Sequence, residues 1–275
     1  MRFRLYREYG ALNSRPVFDA FEQGLKSLGH EIVNTPDGIP VIWSVLWHGR
    51  MAHNEKIYHN HQPVVIIEVG NLLRGNTWRV SINHINSLGK FGNHENLDLD
   101  RPKKLGVELG AVKENRRPEI MIATQHQRSL QWQGQPLMID WVHSTVNQIR
   151  QYSDRKIIVR PHPRSPIPLN IPGVEVGLPR QVSGTYDDFD IDYNCHCVVN
   201  HNSGPAVQAA IHGTPIICDT TSLAGEISSK FEDIEIAKLP NREDWFLKLC
   251  HTEWTVNEIA QGIPMKRLIP LIYQK

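Results

Sequence analysis

A chain of 275 residues, 40% hydrophobic and 21% charged, holds enough apolar material for one large domain or two small ones. A formal net charge of +1 argues against a general nucleic-acid binder. The absence of an apolar run of about eighteen residues excludes a membrane-spanning helix. The opening MRFRLYREYG has arginines with no apolar stretch behind them, so no secretory leader is expected. Cys195, Cys197, Cys218 and Cys250 make no paired framework, and a reducing cytoplasm is the expected compartment. Charge is uneven along the chain. Residues 1–117 carry 16 basic and 12 acidic residues, a net +4, and the remainder a net −3.

In chain order, the first predicted helix opens at Pro16, spaces Val17, Phe18, Phe21, Leu25 and Leu28 on one face, and stops at Gly29. HEIV then reads as a short strand, a helix–glycine–strand unit typical of a parallel α/β sheet. PVIWSVLW and QPVVIIEVG are continuously apolar, as buried parallel strands are, and TWRVSIN alternates as a further strand. Residues 86–106, rich in glycine and asparagine, read as a long functional loop. The polar stretch KENRRPEIM marks a domain boundary.

The second half repeats the pattern. EIMIATQ is a predicted strand, LMIDWVHSTVNQIRQYS a helix, and KIIVRPHP a strand and loop. CHCVVNHNS, GPAVQAAIHG and TPIICD follow as strand, helix and strand. EDWFLKLCHTEW and TVNEIAQGIPMKRLIPL are expected to be terminal helices. The fold class is therefore α/β, with domains at 1–115 and 116–255 and a helical segment at 256–275. In such sheets ligands bind at the carboxyl ends of the strands.

Two motifs sit at such ends. RPHPR, residues 160–164, sets arginine forks and an imidazole on a proline-stiffened loop, chemistry suited to a phosphate. In VVNHNSGPAVQAAIHGTPIICD, residues 198–219, Ser203 is a candidate N-cap of a helix whose first N–H groups can receive an anion. DDFDID, residues 187–192, lies on the wrong side of its strand for a metal site, and the CHC at 195–197 is too short for zinc. No metal is expected.

The order strand–His-Pro, then strand–Ser–helix–Gly–x-Pro–strand over about residues 120–225 resembles the donor domain of nucleotide-sugar glycosyltransferases. Those enzymes have the GT-B fold, two Rossmann-like domains facing each other across a cleft. The His-Pro pair and serine turn look most like the capsule and sialyl- or Kdo-type transferases. The chain length and residues 66–86, IIEVGNLLRGNTWRVSINHIN, resemble small phage-encoded transferases that decorate DNA bases. The chain departs from the pattern at Asn202-Ser203-Gly204-Pro205, where many relatives carry a Ser/Thr pair and a ribose-gripping Glu.

The resemblance implies that Arg160, His162 and Arg164 meet the donor diphosphate. Asn202, Ser203 and the Gly204 N–H would meet a phosphate or ribose, and Thr124 and Gln125 would lie at the cleft. The donor would be a nucleotide sugar, UDP-linked first, with no other cofactor, because fixed cations and a helix N-terminus can hold the leaving group. The first domain would bind the acceptor and supply the base. Glu68, which follows the strand VVII, is the first candidate, with a structural pairing to Arg74 or Arg79 as its alternative. His48 and Asp19 follow.

Arg101, Lys103, Lys104, Lys113, Arg116 and Arg117 form a basic stretch suited to DNA phosphates. The first acceptor expected is 5-hydroxymethylcytosine in phage DNA, in the host cytoplasm and without a membrane partner. A cell-surface polysaccharide or lipid-linked acceptor is the second reading, and a non-catalytic sugar-nucleotide-binding module the third.

Overall fold

The structure is a computed structural model that describes residues 1–92, 94–184 and 189–273. In chain order it runs β1 (Arg2–Leu5), α1 (Arg15–Ser27), β2 (Glu31–Ile32), β3 (Ile39–Trp43), α2 (His53–Asn60), β4 (Val65–Val69), β5 (Thr77–Ile82) and α3 (Arg101–Leu105). It continues with β6 (Ile120–Ala123), α4 (Met138–Arg150), β7 (Ile157–Arg160), β8 (Val174–Val176), β9 (Arg180–Gln181), β10 (Phe189–Asp190), β11 (Cys197–Asn200), α5 (Gly204–Ile211) and β12 (Ile216–Ile217). Last come α6 (Glu243–Cys250), β13 (Glu253–Thr255), α7 (Val256–Ala260) and α8 (Ile263–Leu268). Among the described residues no helix is long and apolar enough to cross a membrane.

Two compact units result. One comprises residues 1–105, 128–130 and 247–275, and the other 106–127 and 131–246. The division falls earlier than the expected 115/116 because Gly110 and Lys113 donate their N–H groups to Ile211 and Gly213 of the second unit, each at 2.9 Å. Residues 247–255, expected in the second domain, belong to the first unit. The predicted helix EDWFLKLCHTEW ends at Cys250, and Glu253–Thr255 becomes an edge strand on β5. That pairing buries Trp254 to 2% exposure opposite Trp78.

The first unit holds a six-stranded sheet in the order β13-β5-β4-β3-β1-β2. Its β1, β2, β3 and β4 pair in parallel, and β5 and β13 each run antiparallel to the neighbour before. The spaced apolar face of α1, Phe18, Phe21 and Leu25, packs with Phe3, Val41, Trp43 and Val80 of the sheet and with Ile259 and Met265. The opposite sheet face buries Ile42 and Ile66 with Trp47 and Tyr58. PVIWSVLW is not strand throughout. It stops at Trp43, and Ser44 turns the chain at φ +64°. The C-terminal helix breaks in two around Gly262 and Pro264, and Thr255 and Glu258 close a capping box at its start.

The second unit holds a parallel five-stranded sheet, β12-β11-β6-β7-β8, beside the small antiparallel pair β9–β10. Ile122, Val159 and Val199 of the sheet bury one face against Val142, Val146 and Ile149 of α4. Ala206, Ala209 and Ala210 of α5 are fully buried. Gly213 ends the α5 turn at φ +85°, where a Cβ would come 1.9 Å from the Ala111 carbonyl oxygen. The mixed α/β class with parallel sheets matches the sequence expectation.

Candidate functional site

In the second unit the chain lays down β6 first, adds β7 and β8 on one side, then β11 and β12 on the other. Chain direction across the sheet therefore reverses between β6 and β11, where open α/β sheets leave a ligand crevice. The strand ends are level, with Ala123 in register with both Arg160 and Asn200. The loops that follow bring together most of the residues the sequence pointed to.

Thr124 ties two of them. Its N–H donates to the Arg160 carbonyl at 3.0 Å, and its Oγ1 accepts the His162 N–H at 2.9 Å. The Arg164 N–H donates to His162 Nδ1 at 3.1 Å, which puts the ring proton of a neutral imidazole on Nε2. His126, 7% exposed, meets the His162 ring edge-on at 5.3 Å. His126 was missed by sequence reasoning, although it follows Thr124 and Gln125 directly after β6.

The serine turn is built differently from expectation. Ser203 holds the N-cap position but makes no side-chain cap bond. The neighbouring Asn200 amide shapes the turn instead. Its Nδ2 donates to the Ala123 carbonyl at 2.8 Å and to Ser203 Oγ at 3.0 Å, and its Oδ1 accepts the Ser203 N–H at 2.9 Å. The first-turn N–H groups of α5, Gly204 and Ala206, are thus left without a side-chain cap, the arrangement that receives an anion.

Gln125 and Asn202 form a buried clasp. Gln125 Nε2 donates to Asn202 Oδ1 at 3.2 Å, and the Asn202 N–H donates to Gln125 Oε1 at 3.3 Å. Asn202 Nδ2 also donates to Thr221 Oγ1 at 2.9 Å, and Gln131 Nε2 donates to the Asn202 carbonyl at 3.1 Å. With exposures of 3% and 6%, these two side chains set the spacing of the β6 and β11 loops and do not present free polar groups.

Arg160, expected at the mouth, is 7% exposed and lies over the Tyr193 ring at 5.2 Å, with its Nη1 buried and without a hydrogen-bond partner. Strand alternation sends it to the α5 face of the sheet, where Tyr193 in turn donates to Gln208 Oε1 at 2.7 Å. Arg164 stands exposed on the loop. Burial pulls the pKa of His201, after β11, below the usual value against the opposing pull of Asp219, so this imidazole is neutral at pH 7.

Of the DDFDID aspartates, Asp187 and Asp188 lie outside the described residues. Among the described residues no three His, Cys, Asp or Glu are gathered as metal ligands. Burial pushes the Cys195 thiol up to about 12, and Cys197 is also buried.

In the first unit Glu68 is the last-but-one residue of β4, half-buried. Its Oε2 accepts the Ser44 hydroxyl at 2.7 Å and the Val45 N–H at 3.4 Å, and its Oε1 accepts the Val69 N–H at 2.9 Å. His48 is exposed after β3, with Arg128 Nη1 at 3.3 Å from its Nδ1. Asp19 is exposed on α1 and is held by Arg7, with Arg15 at 3.9 Å. Its carboxylate belongs to a surface ion-pair group with Arg7, which follows β1.

The expected acceptor cations differ in burial and pairing. Arg101 is 4% exposed and is an internal pin, pairing with Glu258 at 2.6 Å and reaching the Cys250 and Glu253 carbonyls. It also covers the Trp254 ring at 4.0 Å. Lys104 pairs with Asp98 at 2.6 Å, and Arg117 pairs with Glu119 at 2.7 Å and Asp192 at 2.9 Å. Arg116 donates to the Lys113 carbonyl at 2.6 Å. Lys103 is exposed on α3. Trp43, Trp47 and Trp78 are core residues, each 5% exposed or less.

No protein-family model matches the chain, and no curated protein matches it. Solved structures of similar course include two from Thermosulfurimonas dismutans KpsC. The beta Kdo 2,7 transferase has a TM-score of 0.49 at 11% identity, over 96% of this chain and 99% of that one. The beta Kdo 2,4 transferase has a TM-score of 0.46 at 10% identity, over 90% and 96%. AviGT4, a glycosyltransferase involved in avilamycin A biosynthesis, has a TM-score of 0.33 at 11% identity, over 100% and 99%. At these values no residue role and no substrate passes from them to this chain.

Proposed function

We propose that the chain is a glycosyltransferase of the GT-B kind that moves a sugar from a nucleoside-diphosphate sugar, UDP-linked first, to a hydroxyl acceptor. The observation that carries this is the uncapped first turn of α5 beside the His162 loop at the reversal point of a parallel sheet. When the bond from the sugar carbon to the phosphate oxygen breaks, its electron pair goes to the diphosphate. The α5 amides and the His162 Nε2–H are fixed donors for that growing charge. The acceptor oxygen bonds the same sugar carbon and gives up its proton. Glu68 is the carboxylate we assign to take it.

The acceptor we propose is a carbohydrate hydroxyl. The DNA reading rested on the 101–117 cations, of which Arg101 is an internal residue paired with Glu258, while Lys104 and Arg117 keep exposed side chains in surface ion pairs.

The test is a screen of UDP-, GDP- and CMP-sugars with oligosaccharides or with hydroxymethylcytosine-containing DNA, read as nucleotide release and acceptor mass. Release with a matching mass gain on an oligosaccharide is expected. A mass gain on the DNA alone would return the first reading of the sequence. Binding of donors with no release from any would leave a non-catalytic module.

Two substitutions address the donor site by calorimetry with UDP. His162→Ala is expected to weaken binding about ten-fold, the loss of one charge-assisted hydrogen bond. Unchanged binding would remove His162 from the site. Asn202→Ala leaves Gln125 buried without its partner, and the loop spacing it sets is expected to relax. UDP affinity should fall about ten-fold with a stability loss of about 1–3 kcal/mol. A stability loss with full affinity would make the clasp purely structural.

A further inference from the structure

Three charged side chains line one face of the first unit's sheet in a single row. Arg79 on β5 is in register with Glu68 on β4 and with Glu253 on β13. Directly opposed residues of antiparallel strands point to the same face, so the row reads acid, base, acid across three strands. Arg79 is 8% exposed and Glu253 fully buried. Charges this deep are costly unless something holds them.

What they hold is the main chain that follows Glu68. Arg79 donates Nε and Nη2 to the Val69 carbonyl at 3.3 and 3.1 Å, and Nη1 to the Ile85 carbonyl at 3.1 Å. Glu253 accepts the N–H groups of Asn71 at 2.5 Å and Leu72 at 3.0 Å, and the Thr77 hydroxyl at 2.9 Å. Between them Gly70 donates its N–H to the Thr77 carbonyl at 3.0 Å. A Cβ on Gly70 would come 2.3 Å from Glu253 Oε2, so only glycine fits under the carboxylate. The chain from Glu68 to Leu72 is therefore clamped at four consecutive residues beyond the carboxylate. A residue near the C-terminal end of the chain supplies two of those bonds.

We propose that Arg79 and Glu253 are positioning residues for Glu68, fixing the direction of its carboxylate through the Val69–Leu72 main chain and balancing its charge along the row. This rests on the reading of Glu68 as the base. Burial lowers the Arg79 pKa, the two carboxylates raise it, and Arg74 of the adjoining loop opposes them. Arg101 reaches only the Glu253 main-chain carbonyl.

Arg79→Gln and Glu253→Gln are tested on nucleotide release from the UDP-, GDP- and CMP-sugar panel. Both should lower kcat roughly ten-fold or more with donor KM unchanged, the signature of a misdirected base. Arg79→Lys keeps the charge and should recover only part of kcat, because one ammonium cannot bridge the Val69 and Ile85 carbonyls as the fork does.

Amide hydrogen exchange at Asn71 and Leu72 reads the clamp without substrate. It is expected to be slow in the wild type and faster in Glu253→Gln. Equal exchange, or an unchanged kcat in both variants while Glu68→Gln is inactive, overturns the positioning role alone. An active Glu68→Gln overturns the base and the positioning role together.

Discussion

Glu68→Gln is expected to cut sugar transfer by about a hundred- to ten-thousand-fold, the range a general base contributes, with donor affinity unchanged. The amide has the shape of the carboxylate but cannot take a proton from an acceptor hydroxyl. Donor affinity should hold because the groups proposed to grip the diphosphate, His162 and the α5 amides, stand on a different sheet from Glu68. Folding should also hold. One amide oxygen remains to accept from Ser44 and Val45, and losing the Val69 N–H acceptor costs about 1 kcal/mol. Turnover of the screened donor and calorimetry with UDP check the two halves separately. Full turnover in the variant would reduce Glu68 to the residue that holds the left-handed Ser44 turn, and His48, exposed after β3, would be next for the same test.

The second large effect is on stability. Arg101→Ala is expected to destabilise the protein by about 3–5 kcal/mol, because it removes the guanidinium from Glu258 and from two main-chain carbonyls and strips the Trp254 face. Urea denaturation measures it. A surface cation that met an acceptor would cost well under that, so a loss below about 1 kcal/mol would refute the internal pin.

The effect carries a pH signature. Burial works against ionisation of Glu258, but hydrogen bonds from Arg101 and Thr255 outweigh it and hold its carboxyl below the usual glutamate range. A carboxyl depressed in the folded state adds stability that is complete above its unfolded value, about 4.3, and is lost as pH falls through the folded value. The gap between wild type and Arg101→Ala should therefore be widest near neutrality and narrow below about pH 4. A gap that stays constant down to acid pH would mean that the pair contributes by packing and not by charge.

Much of the donor-side geometry was legible because it is local. The helical spacing of α4, the apolar runs of β6, β7 and β11, and the Gly213-Thr214-Pro215 stop place Thr124, His162 and Ser203 at strand ends from short windows alone. Roles were less legible than places. Ser203 looked like the cap, but Asn200, three residues before it at the end of β11, takes the turn's hydrogen bonds. Gln125 and Asn202, expected as donor contacts, hydrogen-bond each other across 77 positions of sequence. Arg160 and Arg164 are identical in type and four residues apart. One closes on Tyr193 inside the unit and the other stands in solvent, a difference set by strand alternation and by what packs over it.

What the sequence by itself determined is the α/β class, most of the element order and the strand-end address of the candidate donor site, since periodicity and turn chemistry act over a few residues. Tertiary structure alone decided which charges are buried. Arg101 became a pin, and the Glu68–Arg79–Glu253 row formed, only when Glu253–Thr255 returned to pair with β5. A three-residue strand has no period to read, and the free energy that places it comes from burying Trp254 and closing bonds with residues more than 150 positions away.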